Sequence, residues 1–377
     1  MQLVLNVVAE GLGFPEGPVA MQDGSLYFVD IKDQVLMRLD PGASPEIVAN
    51  IPGGPNGLAI GPDGFGYVCN NGGVFDFDEM PPDPKKGPRN RNDYVLMPNK
   101  ECPGQNYGKS ATLGVGKPGT DTDTDTDTDT DTDTDTDNLA AGSICRVNLK
   151  TGAVTELYGP SKGDALIAPD DIVFDAHGPE GSFWFTDCGY QNSRIVRKGG
   201  VYAGHVSGAH LTRMAEVPSA NGIGFSPKGD TLYVADTLFG RLWALPMDVA
   251  RNDDGTPAKH ALTRRVKLPP GSPFPGRALL TLPGLQWMDS LKVEDGGRVC
   301  IATLLSGGIT IFDPADNSVD FLPVGTPIPG MSLGDPFTSN LCFGGPDMRD
   351  VWITASATGK IYHGRWPRPG LKLAFND

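Results

Sequence analysis

The chain has 377 residues, long for one domain but suited to a ring of repeated sheets. Its 50 glycines, 34 prolines and 20% charged residues describe many short strands joined by tight turns, with little helix. Nine aspartates of an alternating Asp-Thr tract, 121–137, supply most of the formal charge of −15; the balance of −6 is an ordinary acidic surface that repels phosphate backbones and excludes nucleic acid as a partner.

The amino terminus, MQLVLNVVAEGLGFPEG, has no basic region and no long apolar run, so it reads as a strand rather than a signal peptide. No segment approaches the roughly 18 apolar residues of a spanning helix, and no membrane attachment is expected. Next come hairpins, each a short strand followed by an apolar strand. They pair PVAM with LYFVD (26–30), LAIG with FGYVCN (65–70), IVFD with FWFTD (183–187), IGFS with LYVAD (232–236), LKVE with RVCIAT (298–303) and LCFG with VWITA (351–355). Six hairpins spaced by about 40 to 50 residues, apart from one insertion, are the signature of propeller blades of four antiparallel strands. VLMRLD, ICRVNL, RLWAL and ITIFD supply outer strands, ending in turn-forming residues. The expected fold is therefore all-β, a single six-bladed propeller over residues 1–377, with LVLNVVAE pairing near KIYHGRW to close the ring.

The insertion, 75–141, falls between the second and third copies, and so between blades 2 and 3. It opens on Pro- and charge-rich sequence and ends in the Asp-Thr tract. A run of one charge sign with no apolar residue cannot offset its ordering entropy, so the insertion reads as a disordered loop. A calcium-binding repeat would carry glycines to shape backbone around the ion, and the tract has none. The six cysteines (Cys69, Cys102, Cys145, Cys188, Cys300, Cys342) are scattered without zinc spacing and read as reduced thiols of a cytoplasmic protein.

One position repeats in phase. Two residues before each first strand stand Glu16, Asn56, Asp170, Asn221, Asp289 and Ser339, and eight residues further on come five glycines and Asp347. In a propeller these positions converge at one mouth of the central channel. Single Asp or Asn residues before a strand are ordinary turn formers. Glu16 is a poor turn former, however, and three carboxylates at one mouth repel unless a cation lies among them. Oxygen ligands of this kind select hard divalent ions.

At these residues, in FPEGPV (14–19), APDDIVFD (168–175), NGIGFSPKGDTLYVADT (221–237) and MDSLKVEDGG (288–297), the sequence resembles the senescence-marker-protein/gluconolactonase family of six-bladed propellers. That family includes regucalcin and is akin to diisopropylfluorophosphatase and serum paraoxonase. The resemblance implies one divalent metal held by Glu16, Asn221 and Asp289, with a further ligand or substrate contact from Asp170. Calcium is the first expectation, with zinc, manganese or magnesium as alternatives. The family's third-blade motif commonly carries Asn where Asp170 stands, and some sugar-lactone members have arginine where this chain has Ala168.

The expected activity is metal-dependent opening of a lactone ring. The metal would polarise the carbonyl and Asp289 would act as base or nucleophile. Asp171 is a second candidate catalytic carboxylate, and Asp170, Asn56 and Trp287 are candidate substrate contacts. An organophosphate or aryl-ester hydrolase on the same site, or a non-enzymatic calcium-binding propeller, are the alternatives. A G-x-S-x-G elbow is absent, and the five histidines share no ligand spacing, which disfavours serine hydrolase and histidine-metal chemistry. A small-molecule lactone or ester is the expected partner; oligomeric state is not read from the sequence.

Overall fold

The computed structural model describes residues 3–79, 94–98, 142–191, 196–248, 264–267, 272 and 274–375. Six antiparallel sheets stand around a central axis as the blades of a propeller. Their inner strands are Pro15–Ala20, Pro55–Ile60, Pro169–Phe174, Ala220–Phe225, Trp287–Val293 and Thr338–Gly344. Four strands make each blade; the fourth blade adds a short fifth, Arg265–Val266. Among the described residues the one helical element is a 3₁₀ turn, Pro160–Lys162. No helix there is long and apolar enough to cross a membrane.

The apolar runs sit in strands because both faces of each blade are covered by its neighbours. Six buried apolar clusters lie one between each adjacent pair of blades. Between the third and fourth blades, for example, Trp184, Ile223, Val234 and Leu245 pack together. The ring closes as the sequence leads one to expect: Leu5–Ala9 pairs antiparallel with Lys360–Arg365 as the outermost strand of the last blade. That pairing covers an edge and ties the two ends of the chain together.

The acid or amide ending many second strands has a structural role. Asp30 accepts backbone N–H groups of Gly13 and Phe14 at 2.6 and 2.8 Å, and Asp187 those of Ile167 and Ala168 at 2.8 and 2.9 Å. Asn70 holds Gly54 in the same way at 2.8 Å. Each side chain thereby fixes the loop that enters its blade's inner strand.

The insertion departs from the channel side of the second blade, after its second strand (Gly66–Asn70) and before its third (Ser143–Val147). It does not read throughout as the disordered loop expected from composition. Phe75–Glu79 and Tyr94–Pro98 pair as an antiparallel hairpin, in keeping with the alternation of FDFDE and the apolar run YVLMP. The Asp-Thr tract, 121–137, and Cys102 lie outside the described residues. The five cysteines within them are all free.

Candidate active site

Every inner strand shifts register at or beside its phased residue. A bulge leaves one residue out of the ladder and bends the strand, which turns that side chain from the sheet face toward the axis. Glycine then lets neighbouring strands come close. A Cβ on Gly17, whose φ is 53°, would lie 2.5 Å from the carbonyl oxygen of Asn56, and one on Gly222 would lie 2.5 Å from that of Asp289. Small residues after the axial positions thus narrow the channel until side chains from different blades meet.

Five of the six phased residues, Glu16, Asn56, Asp170, Asn221 and Asp289, line one cavity of about 280 Å³, and Trp287 forms part of its wall. Glu16, Asn56, Asp170 and Asn221 are buried; Asp289 keeps some contact with solvent through the cavity although protein surrounds it. Asn221 is the link between acids. Its Nδ2 donates to Asp170 Oδ2 at 3.2 Å, and the same side chain hydrogen-bonds Asp289. Its Oδ1 is buried without a partner.

The sixth phased residue behaves differently. Ser339 does not line the cavity; its hydroxyl meets those of Thr354 and Ser356 at 2.9 and 2.7 Å and supports Glu16 from behind. The next residue, Asn340, which sequence phase passes over, donates Nδ2 to Glu16 Oε2 at 2.8 Å, and the Gly17 N–H reaches the same oxygen at 2.7 Å. Asp171 also stays out of the cavity. It lies one residue further along its strand, paired with Lys292 at 3.2 Å. Cys188, which the sequence does not single out, lines the cavity beside Asp170 and hydrogen-bonds it.

The electrostatics follow from burying like charges together. Burial pushes the Glu16 carboxyl up to about 7, against hydrogen bonds from Ser339, Asn340 and Gly17, and the charge of Asp171 adds to the rise. Asp170 and Asp289 are driven well above the ordinary carboxylate range, first by burial and then by the charge of Glu16. Burial and the charge of Asp170 likewise keep the Cys188 thiol protonated.

A divalent cation fits this donor set on two counts. It would relieve the repulsion, and it would give the orphaned Asn221 Oδ1 a partner. Among the described residues, Asp, Glu, His and Cys side chains do not by themselves form a three-residue metal cluster.

The whole architecture has close counterparts. A gluconolactonase from Xanthomonas campestris superposes with a TM-score of 0.57 at 18% identity, covering 96% of this chain and 89% of that one. The calcium-binding protein regucalcin from Agrobacterium tumefaciens gives 0.56 at 16%, covering 98% of both chains. A luciferin-regenerating enzyme gives 0.57 at 14%, covering 99% of both. At these identities the likeness is one of fold. A search of curated proteins returns no match. The family profile described as the SMP-30/Gluconolactonase/LRE-like region matches residues 14–357, and the chain belongs to that family.

Proposed function

We propose that the protein is a divalent-cation-dependent lactonase, with Glu16, Asn221 and Asp289 as principal cation ligands and Asp170 as a fourth. The observation that carries this reading is the buried, unpartnered Asn221 Oδ1 among three mutually destabilised carboxylates at the floor of a cavity. Membership of a family named for a gluconolactonase supports the reaction class. Calcium is the first candidate, because the donors are all oxygen.

A bound divalent cation would polarise the lactone carbonyl and offset the negative charge that builds on its oxygen. Asp289 acts as base or nucleophile, since it alone of the three acids retains solvent contact, where a water or a lactone carbonyl can reach it. In either role the ring acyl carbon–oxygen bond breaks, water supplies a hydroxyl to that carbon and a proton to the leaving oxygen, and a hydroxy acid results. Asn56 and Trp287 contact substrate from the wall. Asp171 acts indirectly, through its charge and its pairing with Lys292, rather than by touching substrate.

Ring opening of lactones and aryl esters followed by pH-stat, before and after chelation and with calcium, zinc, manganese or magnesium restored, tests the proposal. Lactone turnover that is lost on chelation and regained with metal is the expected result. Turnover indifferent to chelation, or none on any lactone in the presence of metal, overturns it.

A further inference from the structure

The walls above the acids carry information about substrate that the acids do not. Among the described residues, charged side chains of the lining are confined to Glu16, Asp170 and Asp289, with no lysine, arginine or histidine. The walls are largely apolar, with Phe14, Ile31, Val74, Leu304 and Phe337 contributed by several blades. Phe14 and Phe337 meet edge to face at 5.9 Å, so this part of the wall is a packed surface rather than a set of loose side chains.

Polar wall groups are few, and some are engaged. The Ser219 hydroxyl donates to Asp236 at 2.6 Å and accepts the Leu238 N–H at 2.9 Å. Thr237 offers a buried hydroxyl without a partner, and Asn56 an amide. At the mouth the apolar lining continues outward: Leu238 is 39% exposed and Phe239 53%.

From this we infer that the substrate is a lactone bearing an alkyl or aryl substituent rather than a polyhydroxylated sugar lactone. The inference rests on the lactonase reading and specifies its substrate class. A sugar lactone would bring several hydroxyls against largely apolar walls, where Asn56, Gln191, Thr237 and the Trp287 indole are the main polar groups among the described residues, and each hydroxyl buried without a partner weakens binding by about tenfold. An alkyl or aryl group is matched by the walls, and each buried methylene strengthens binding about threefold to fourfold.

The test compares glucono-δ-lactone with δ-valerolactone, δ-octanolactone and δ-decanolactone on the full chain saturated with calcium. The expected result is a rise in kcat/KM of about threefold or more per methylene until the cavity is filled, with glucono-δ-lactone at least about tenfold below δ-valerolactone. Glucono-δ-lactone matching or exceeding δ-decanolactone overturns the inference. Tryptophan fluorescence titration, which needs no turnover, separates the two readings. If no lactone is opened, the lactonase reading fails, and the inference about the walls is still decided: δ-decanolactone binding at least about tenfold more tightly than glucono-δ-lactone supports it, and equal or reversed affinity overturns it. Leu238→Ser places a hydroxyl on the exposed rim, where folding tolerates it. It should lower the δ-decanolactone to δ-valerolactone ratio in kcat/KM about fivefold, and an unchanged ratio overturns the placing of the substituent against this wall.

Discussion

Glu16→Gln should make the cation-free protein more stable and the cation-bound protein weaker. Of the three hydrogen bonds that hold Glu16, those from Gly17 and Asn340 end on Oε2, so a glutamine carbonyl can keep both while its amide nitrogen takes the place of Oε1 and the Ser339 hydroxyl turns to accept. What changes is the charge. Burial raises the Glu16 carboxyl from 4.5 to about 7 in the folded, cation-free chain. A group with a raised folded value contributes stability below its unfolded value and loses it as pH climbs through the folded one. The penalty therefore grows between about pH 4.5 and 7 and reaches about 3 kcal/mol above that, since each unit is worth about 1.4 kcal/mol. Glutamine removes it. Allowing about 1 kcal/mol for weaker, no longer charge-assisted hydrogen bonds, the variant should gain about 2 kcal/mol at pH 8 and nothing at pH 4.5. Calcium affinity at pH 8 should fall by about 3 kcal/mol, roughly 100-fold in Kd, as expected for losing one partner of a buried charge interaction. Urea unfolding of chelated protein at the two pH values, with calorimetric calcium titration, measures both. A variant equally destabilised at both pH values, or one that binds calcium as tightly as the parent, would refute the axial-site account.

Asp289→Asn keeps one ligating oxygen but cannot take a proton or attack, so turnover at saturating calcium should drop about 100-fold or more; recovery at high calcium would make Asp289 a ligand alone. Arg264 grips Asp175 through Nε and Nη2 at 2.7 and 2.8 Å in a buried pair, and Arg264→Met should lower stability by about 3–5 kcal/mol in urea unfolding, because Asp175 loses its buried counter-charge and keeps only the His177 N–H at 3.0 Å. An unmoved midpoint would contradict that. Arg368→Met removes both guanidinium bonds to the buried Glu294, leaving it the Trp366 indole at 2.7 Å and the Cys300 thiol at 3.6 Å. The loss in urea unfolding should be about 2 kcal/mol, smaller than for Arg264 because Arg368 is about a third exposed, and a variant as stable as the parent would show that Glu294 is otherwise satisfied.

The fold could be read from the sequence because a propeller repeats itself and each repeat must solve the same problems. The phased glycines Gly24 and Gly229 adopt φ of 84° and 66° in the hairpin turns where the pattern places them, and the axial acids precede the inner strands in step with them. The register of the last blade was less readable. Its bulge lies around Ser339, so the side chain that reaches the Glu16 carboxylate from the front is Asn340, one residue beyond the phased position. The substrate walls were hidden for a different reason. Phe14, Ser219, Trp287 and Phe337 each stand two residues before an axial position, but they mix apolar and polar types, and Val74 and Leu238 have no such place, so only the closed ring shows them as one wall. The inserted hairpin carried a signal, the alternation of FDFDE, but it stood beside a compositional bias that argued the other way.

The far end of the channel explains why the axial acids stay so strongly desolvated. The segment after the last blade strand returns across the inner strands: the Leu371 N–H donates to Val293 O at 2.8 Å, Asp295 N–H to Pro369 O at 3.0 Å, and Phe375 packs edge to face on Phe174 at 5.4 Å. Leu371, Leu373 and Ala374 line a smaller cavity there with Ile172, Ile223 and Phe343 from three inner strands. Lys292 lines that smaller cavity and is engaged by Asp171, one residue from the axial Asp170. Glu16, Asp170 and Asp289 therefore face the open mouth with the cover at their backs and, among the described residues, no basic residue in the lining. Their surplus negative charge is then answered through that mouth, by a cation or by protons from solvent. The apolar walls above them give up their contact with water when a substrate rests there, which strengthens electrostatic interactions at the acids.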